Sequence, residues 1–375
     1  MQSGRIPREP AETVKINLQK IEYRIRPFHG GCMQRRGFAL IVMLGLLLMF
    51  LPSAAWAQYQ LRNLSSNQVK QADHIDPQNV NAWGLARGAT TPWWVGDNES
   101  GWSTLYNSEG VKQGLEVEIP PAPGAGPIGL PTGVVWNPSQ TGEFQVQGLQ
   151  TFFLFDTLDG TISAWAPGLT LFDAAIVVDN SKSKASYTAL AITNKPSGNF
   201  LFAADAANNR VDIYDGSFNH TGTFATDPAI PSGFSVFGIR DINGKVFVSF
   251  ADSSGGPGGF IDMYKEDGTL IGMFAKGAPL NQPWGFALAP STFGPLSNTL
   301  LVSNNTDNGT IHGFNAKGQL VGTVKDTAGR IIQIDQLWAI DFGGGNLTNG
   351  SASRLFFTAG PHNNFAGTFG SIAFK

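Results

Sequence analysis

Cysteine is almost absent from this chain: 375 residues contain one, Cys32, and it precedes a stretch that reads as an export leader. A mature chain beginning after that leader has no thiol, which excludes disulfide stapling and cysteine-based catalysis. Charge is also scarce, with Asp, Glu, Lys and Arg at 14% against about 25% in ordinary soluble domains. A formal net charge of -3 with no basic run gives none of the electrostatic footprint that nucleic acid requires. No G-x-S-x-G elbow, H-E-x-x-H pair or P-loop occurs, so the usual signatures of serine hydrolases, zinc proteases and nucleotide-phosphate sites are missing.

What is present begins with the leader. Arg35 and Arg36 precede the apolar run "FALIVMLGLLLMFLP", and Ala55 and Ala57 end it as small residues at the two recognition positions. The pattern predicts a signal peptide cleaved before Gln58, with Met33 as the true start, residues 1–57 as extension and leader, and 58–375 as one mature domain. The run is short for a membrane span, so after cleavage no span is expected, and the protein is expected in the periplasm or outside the cell. Abundant glycine, 46 residues, together with low charge favours an all-β exported protein.

The phrase "NAWGLARG" at Asn81 to Gly88 is echoed by "QPWGFALAP" at Gln282 to Pro290. Aligning on it exposes six units at intervals of about fifty residues, the signature of a radial repeat. A first short strand carries a small central residue: Gly84, Gly133, Ala189, Gly238, Gly285 and Ala339. A second strand ends in Asp or Asn in five units, and a third ends on an aromatic: Tyr106, Trp165, Tyr214, Tyr264, Phe314 and Phe374. Turn sequences such as "NSEG", "KEDG" and "NAKG" lead into a fourth strand. Six units of four short antiparallel strands predict a six-bladed β-propeller. The last unit has three strands, and "YQLRNLS", Tyr59 to Ser65, has no partner in the first. That N-terminal strand is expected to complete the last blade and remove the exposed edge.

The stretches "NAWGLARG", "DGTISAW", "FAADAANNRVDIYDGSF", "LNQPWGFALAPSTFGPLSNTLLVSNN" and "FFTAGPHNNFAGTFGSIAF" resemble a family of exported, functionally uncharacterised bacterial propeller proteins. More distantly, the D-x-x-N-x-R-V-x-I-Y cadence from Asp205 to Tyr214 is similar to NHL-type propellers and gluconolactonase-like enzymes. That wider resemblance implies the fold and two kinds of function, protein binding and calcium-dependent lactone hydrolysis on an axial metal.

Long connections join one blade to the next, as in "PPAPGAGPIGLP" from Pro120 to Pro131 and the segment Gly168 to Tyr187, whereas third-to-fourth turns are tight. The long-loop face is therefore the expected site. Asp97, Asn98, Asp156, Asp205, Asp252, Asn304 and Asn305 end second strands there, and with Asn363 they are the candidate ligand-binding residues. Asp97, Asp205 and Asn304 are the candidate metal ligands, because converging oxygen donors suit calcium. Each of these residues also has a structural reading as a cap on its own turn. His74 and His362, which ring closure should bring near each other with Asp73, Asp76 and Asn363, are the candidates for acid-base chemistry. The expected function is a monomeric scaffold binding a small molecule or a protein through the long-loop face; the alternative is a divalent-metal hydrolase of the lactonase type.

Overall fold

Six antiparallel sheets stand round one axis in the computed structural model, which describes residues 59–139, 142–195 and 197–375. The leader, Cys32, Met33 and the cleavage point before Gln58 fall outside the described residues. Blade 1 consists, from the axis outward, of Ala82–Ala86, Trp93–Asp97, Trp102–Tyr106 and Lys112–Glu118. The innermost strands of blades 2 to 6 are Pro131–Trp136, Tyr187–Ile192, Phe234–Ile242, Pro283–Leu288 and Leu337–Phe342. Each packs on the inner strand of the next blade, and that of blade 6 packs on blade 1, which closes the ring. The inner and second strands of blade 1 are buried along their whole length and its outer strand is mostly half-exposed. Continuous apolar runs near the axis and weaker ones at the rim follow from that gradient of burial.

Among the described residues the helical elements are two 3₁₀ turns, Ser181–Ser183 and Gly294–Leu296, and no helix is long and apolar enough to cross a membrane. The segment Gly168 to Tyr187 is not the bare connection expected from the sequence. It contains the outer strand of blade 2, Ala175–Asp179, in which the first four residues are all half-buried and no alternation marks a strand.

The seam lies where the sequence puts it. Tyr59–Ser66 pairs antiparallel with Thr368–Phe374 from Tyr59 opposite Phe374 to Ser66 opposite Thr368. Its first residue is anchored in blade 5: Tyr59 donates its hydroxyl to the Phe293 carbonyl at 2.8 Å and accepts from the Leu296 N–H. Burial pushes the Tyr59 phenol up to about 12. Blade 6 gains one element not foreseen, a two-residue strand His74–Ile75 paired in parallel with Ser65 and Ser66.

All six inner strands break register with their second strands at the small central residue or the residue before it. The reason is room at the axis. A Cβ on Gly238 would sit 2.0 Å from the Trp284 carbonyl oxygen, and one on Gly133 would sit 2.3 Å from the Leu190 nitrogen. The bulge frees the central N–H from the ladder, and a side chain of the second strand takes it: Asp156 for Gly133, Ser249 for Gly238, Ser303 for Gly285, Thr358 for Ala339. A polar side chain also crosses every seam to a carbonyl of the next inner strand. These bonds run from Asn98 to Pro131, Thr132 to Tyr187, Thr188 to Phe237, Ser249 to Pro283, Ser303 to Trp338 and Thr358 to Trp83. At about 1 kcal/mol net for each bond, they fix the blades against sliding more than they add stability.

Candidate functional site

The oxygen-bearing ends of the second strands do not form one ring. Asp97, Asp205 and Asn304 lie opposite Ala82, Tyr187 and Pro283, which are equivalent positions. Asp156 stands one residue before that level, because Thr157 is the residue opposite Pro131. Asp252 lies opposite Phe234, two residues beyond the Phe250–Val236 pair. Successive side chains on a strand point to opposite faces, so Asp156 turns toward the central bulge while its sequence equivalents do not.

Each residue is then engaged locally. Asp205 caps its turn, accepting from the Asn208 and Ser186 N–H groups through one oxygen and from Asn208 Nδ2 at 2.6 Å through the other. Asn304 accepts from the Asn281 N–H and donates to the Pro279 carbonyl, which holds the loop entering blade 5. Asn98 receives Asn81 Nδ2 and crosses to Pro131, and Asn305 donates to the Leu337 carbonyl. Asp252 accepts the Ser254 hydroxyl and N–H, which hold its carboxyl below the usual carboxylate range. Among the described residues, no three His, Cys, Asp or Glu side chains gather into a metal-binding group.

Asp97 has the most elaborate environment. It is fully buried and bonded to the Thr104 hydroxyl at 2.6 Å; Thr104 contacts the Tyr106 hydroxyl, which donates to Asp76, and Asp76 pairs with Lys112 at 2.7 Å. Burial raises the Asp97 pKa well above its ordinary value, the Thr104 bonds oppose the rise and the Asp76 charge adds to it. One hydroxyl proton on Thr104 cannot serve both Asp97 and Tyr106. A protonated Asp97 supplies the missing proton and completes the chain from Oδ2 to Lys112, while Asp97 Oδ1 is buried with no hydrogen-bond partner. A second acidic pair lies between blades 3 and 4, where burial and then the neighbouring Asp227 push Asp262 up to about 7.

At the long-loop end the axis is filled with rings. The residues just before the central small positions are Trp83, Thr132, Thr188, Phe237, Trp284 and Trp338. Trp83 and Trp338 stack with centroids 3.7 Å apart, and Trp284 stands edge-on to both. Trp338 Nε1 donates to Asn81 Oδ1 and Trp284 Nε1 to the Thr188 carbonyl across the ring. The repeated Trp-Gly phrase thus encodes two things at once: a glycine for close approach and an indole that caps the axis.

Beside this cap, over blades 3 to 5, lies a bowl of about 470 Å³ lined by Ser186, Thr188, Ser235, Phe237, Asp252 and Gln282, among others. The Ser235 hydroxyl meets that of Ser253 at 2.8 Å, and Gln282 donates to the Gly256 carbonyl at 2.7 Å. Phe237 is half-buried and packs on Trp338 at 5.8 Å. Of the residues selected from sequence, the bowl gathers Asp252 alone. Its hydroxyls and its ring went unrecognised because serines carry no spacing signal and Phe237 reads as core.

His362 lines a different cleft, of about 160 Å³, with Asn63, Gln68, Gln71, Gln333 and Asp335. Its N–H donates to Asp335, and His362, Asn363 and Asn364 are all left-handed, with φ of 59°, 55° and 69°. The loops that carry the two histidines do meet, since Asn67 bonds to both Phe365 and Gly367. His74, however, is not part of the cleft lining. Asn363 is exposed. Trp93 and Trp94 are blade core, the latter stacked on Phe153.

No family model matches the chain. In sequence it is similar to uncharacterised proteins of Acanthamoeba polyphaga mimivirus. One is 31% identical over 265 residues, covering 64% of this chain and 47% of that protein, so the chain spans about half of that relative's length. Another is 27% identical over 348 residues, covering 86% and 82%. These relatives are viral and are not the exported bacterial proteins that the sequence motifs resemble. In structure the chain is similar to a gluconolactonase from Xanthomonas campestris, with TM-score 0.52 and 14% identity over 80% of this chain and 87% of that one. A virginiamycin B lyase from Staphylococcus aureus superposes with TM-score 0.48 and 12% identity over 84% and 99%. At 14% identity the likeness to the gluconolactonase is one of fold alone.

Proposed function

We propose that this propeller is a binding protein that takes a small, neutral, hydroxyl-rich molecule, of the kind a sugar exemplifies, in the bowl on its long-loop face. The lining of that bowl carries the reading. The Ser186 and Ser235 hydroxyls and the side-chain carbonyl oxygen of Gln282 offer donors and acceptors, the ionised Asp252 adds a charged acceptor in Oδ2, the oxygen not taken by Ser254, and Phe237 presents a flat apolar face. The lactonase-type alternative needs oxygen donors converging on the axis. At that level the axis holds three indoles, Asp205 and Asn304 are committed to their own turn and loop, and Asp97 is bonded to Thr104 inside its blade, so binding is the reading the geometry favours.

Calorimetric titration with a panel of neutral mono- and disaccharides tests it. At least one member should bind saturably, and Ser235→Trp, which fills the bowl from its rim, should abolish that binding with the melting temperature unchanged. A panel without a binder, or binding that survives Ser235→Trp, overturns the reading.

A further inference from the structure

A second cavity, of about 210 Å³, opens at the other end of the axis, where the inner strands finish. Its walls combine apolar surface, chiefly Trp136 and Ile192, with the charged side chains Arg87, Arg240 and Asp341. Blades 1, 2, 3, 4 and 6 each contribute. Arg240 Nη2 donates to Asp341 Oδ2 at 2.8 Å, and the other Asp341 oxygen accepts the Phe342 N–H. Arg87 donates from Nε to the Phe342 carbonyl at 2.8 Å, and that is its one hydrogen bond to the described residues. A guanidinium carries five N–H donors, so most of the hydrogen-bonding capacity of Arg87 is unspent beside the cavity.

The charges do not cancel. Two fixed cations, Arg87 and Arg240, face one fixed anion, Asp341. Asp241 at the rim carries only part of a negative charge near pH 7, because burial and its contact with Glu266 push its pKa up to about 7, while Lys195 pairs with Glu266 at 3.1 Å. Burial disfavours the charged form of Arg87, Asp341 opposes that effect and Arg240 reinforces it. Arginine stays protonated in proteins even so, and an anion in the cavity would relieve the cost of keeping it there.

We propose that this cavity is a second binding site, for a small monocarboxylate with a flat apolar body: the carboxylate bridges Arg87 and Arg240, and the body lies against Trp136. A carboxylate matches the planar forks of two guanidiniums. A net positive charge of at most one fits a monoanion; a phosphate dianion would exceed it and would leave the indole wall without a partner. The site does not depend on the bowl on the opposite face, and either can fail without the other.

Sodium benzoate is the probe, benzamide its uncharged counterpart and inorganic phosphate the competing anion, compared by calorimetry and thermal unfolding at equal ionic strength. Benzoate should bind saturably and raise the melting temperature with concentration, whereas benzamide and phosphate should not. Arg87→Gln should weaken benzoate by about tenfold or more, the usual worth of a hydrogen bond to a charged group. Asp341→Asn should tighten it several-fold by releasing Arg240, and this variant decides the matter if Arg87→Gln fails to fold. No response to benzoate, an equal response to benzamide, a phosphate response as large, or unchanged affinity in Asp341→Asn overturns the proposal.

Discussion

The two ends of the propeller axis are built from neighbouring positions of the same six strands, and they have opposite characters. At the long-loop end the residue before each central small position is an aromatic in four blades, and Trp83, Trp284 and Trp338 close the axis with no charge among them. At the other end, two positions past the central residue, blades 1, 2, 3 and 5 carry Ala86, Val135, Ala191 and Ala287, but blades 4 and 6 carry Arg240 and Asp341. The repeat builds the closed end, and exceptions to the repeat build the open one. Specific chemistry in a repeat fold therefore sits where one unit departs from its siblings.

Loosening both ends together gives the largest expected effect. Blade 6 supplies Trp338 above and Asp341 below, and it is completed by Tyr59–Ser66. Deleting residues 59–66 removes a full antiparallel ladder, the Tyr59 bonds to Phe293 and Leu296, and the Ser66 bond to Gly367. The loss should approach the whole net stability, about 5–15 kcal/mol for a domain, and the exposed edge of Thr368–Phe374 should drive aggregation. A monodisperse deletion variant with an unchanged melting temperature would sink the closure argument.

That seam was legible in the sequence because a missing strand at one end and a spare one at the other can be counted. The small axial residues were legible for the same reason, since sterics at the axis act on every blade alike. The candidate site was not. Asp97, Asp156, Asp205, Asp252 and Asn304 look equivalent when each is read as the last residue of its apolar run, yet the register puts Asp156 one residue early and Asp252 two residues late. Side-chain direction depends on the bulges, and no residue type announces a bulge of this kind when its centre is Gly in one blade and Ala in another. Arg87, Arg240 and Asp341 meet across more than two hundred positions, and each alone reads as an ordinary surface charge.

The closed end can be tested against the open one by removing one indole from each. Trp338→Ala strips the stacked partner of Trp83, an edge contact to Trp284 at 5.9 Å and the bond to Asn81. About 3–5 kcal/mol should be lost in urea unfolding, the usual range for a buried Trp. Trp136 is half-buried at the cavity mouth, so Trp136→Ala should cost clearly less while weakening benzoate. Equal losses from the two substitutions would mean that the ends are not packed differently.

Between the ends lies Asp156, where blade 2 does with a carboxylate what blades 4, 5 and 6 do with the hydroxyls of Ser249, Ser303 and Thr358. One Asp156 oxygen accepts from Thr132 and Gly133, and the other is buried with no partner. Burial pushes the pKa from 3.8 up to about 6 against the pull of those bonds. A raised pKa means that the fold prefers the protonated acid, so the stabilisation from this group is complete below pH 4 and is lost as the pH rises toward 6. A rise of that size is worth about 2–3 kcal/mol at most. Asp97 and Asp262 are displaced in the same direction, so the wild-type slope is shared, and the difference between wild type and a variant isolates one group. Asp156→Ser installs the side chain used by two sibling blades. It should be less stable than wild type at pH 4 and should lose less stability than wild type between pH 4 and 7, as urea unfolding at both pH values would register. Parallel pH profiles for the two proteins would show that Asp156 is already ionised in the fold, and the axial clip of blade 2 would then be a buried charge held by its two donors alone.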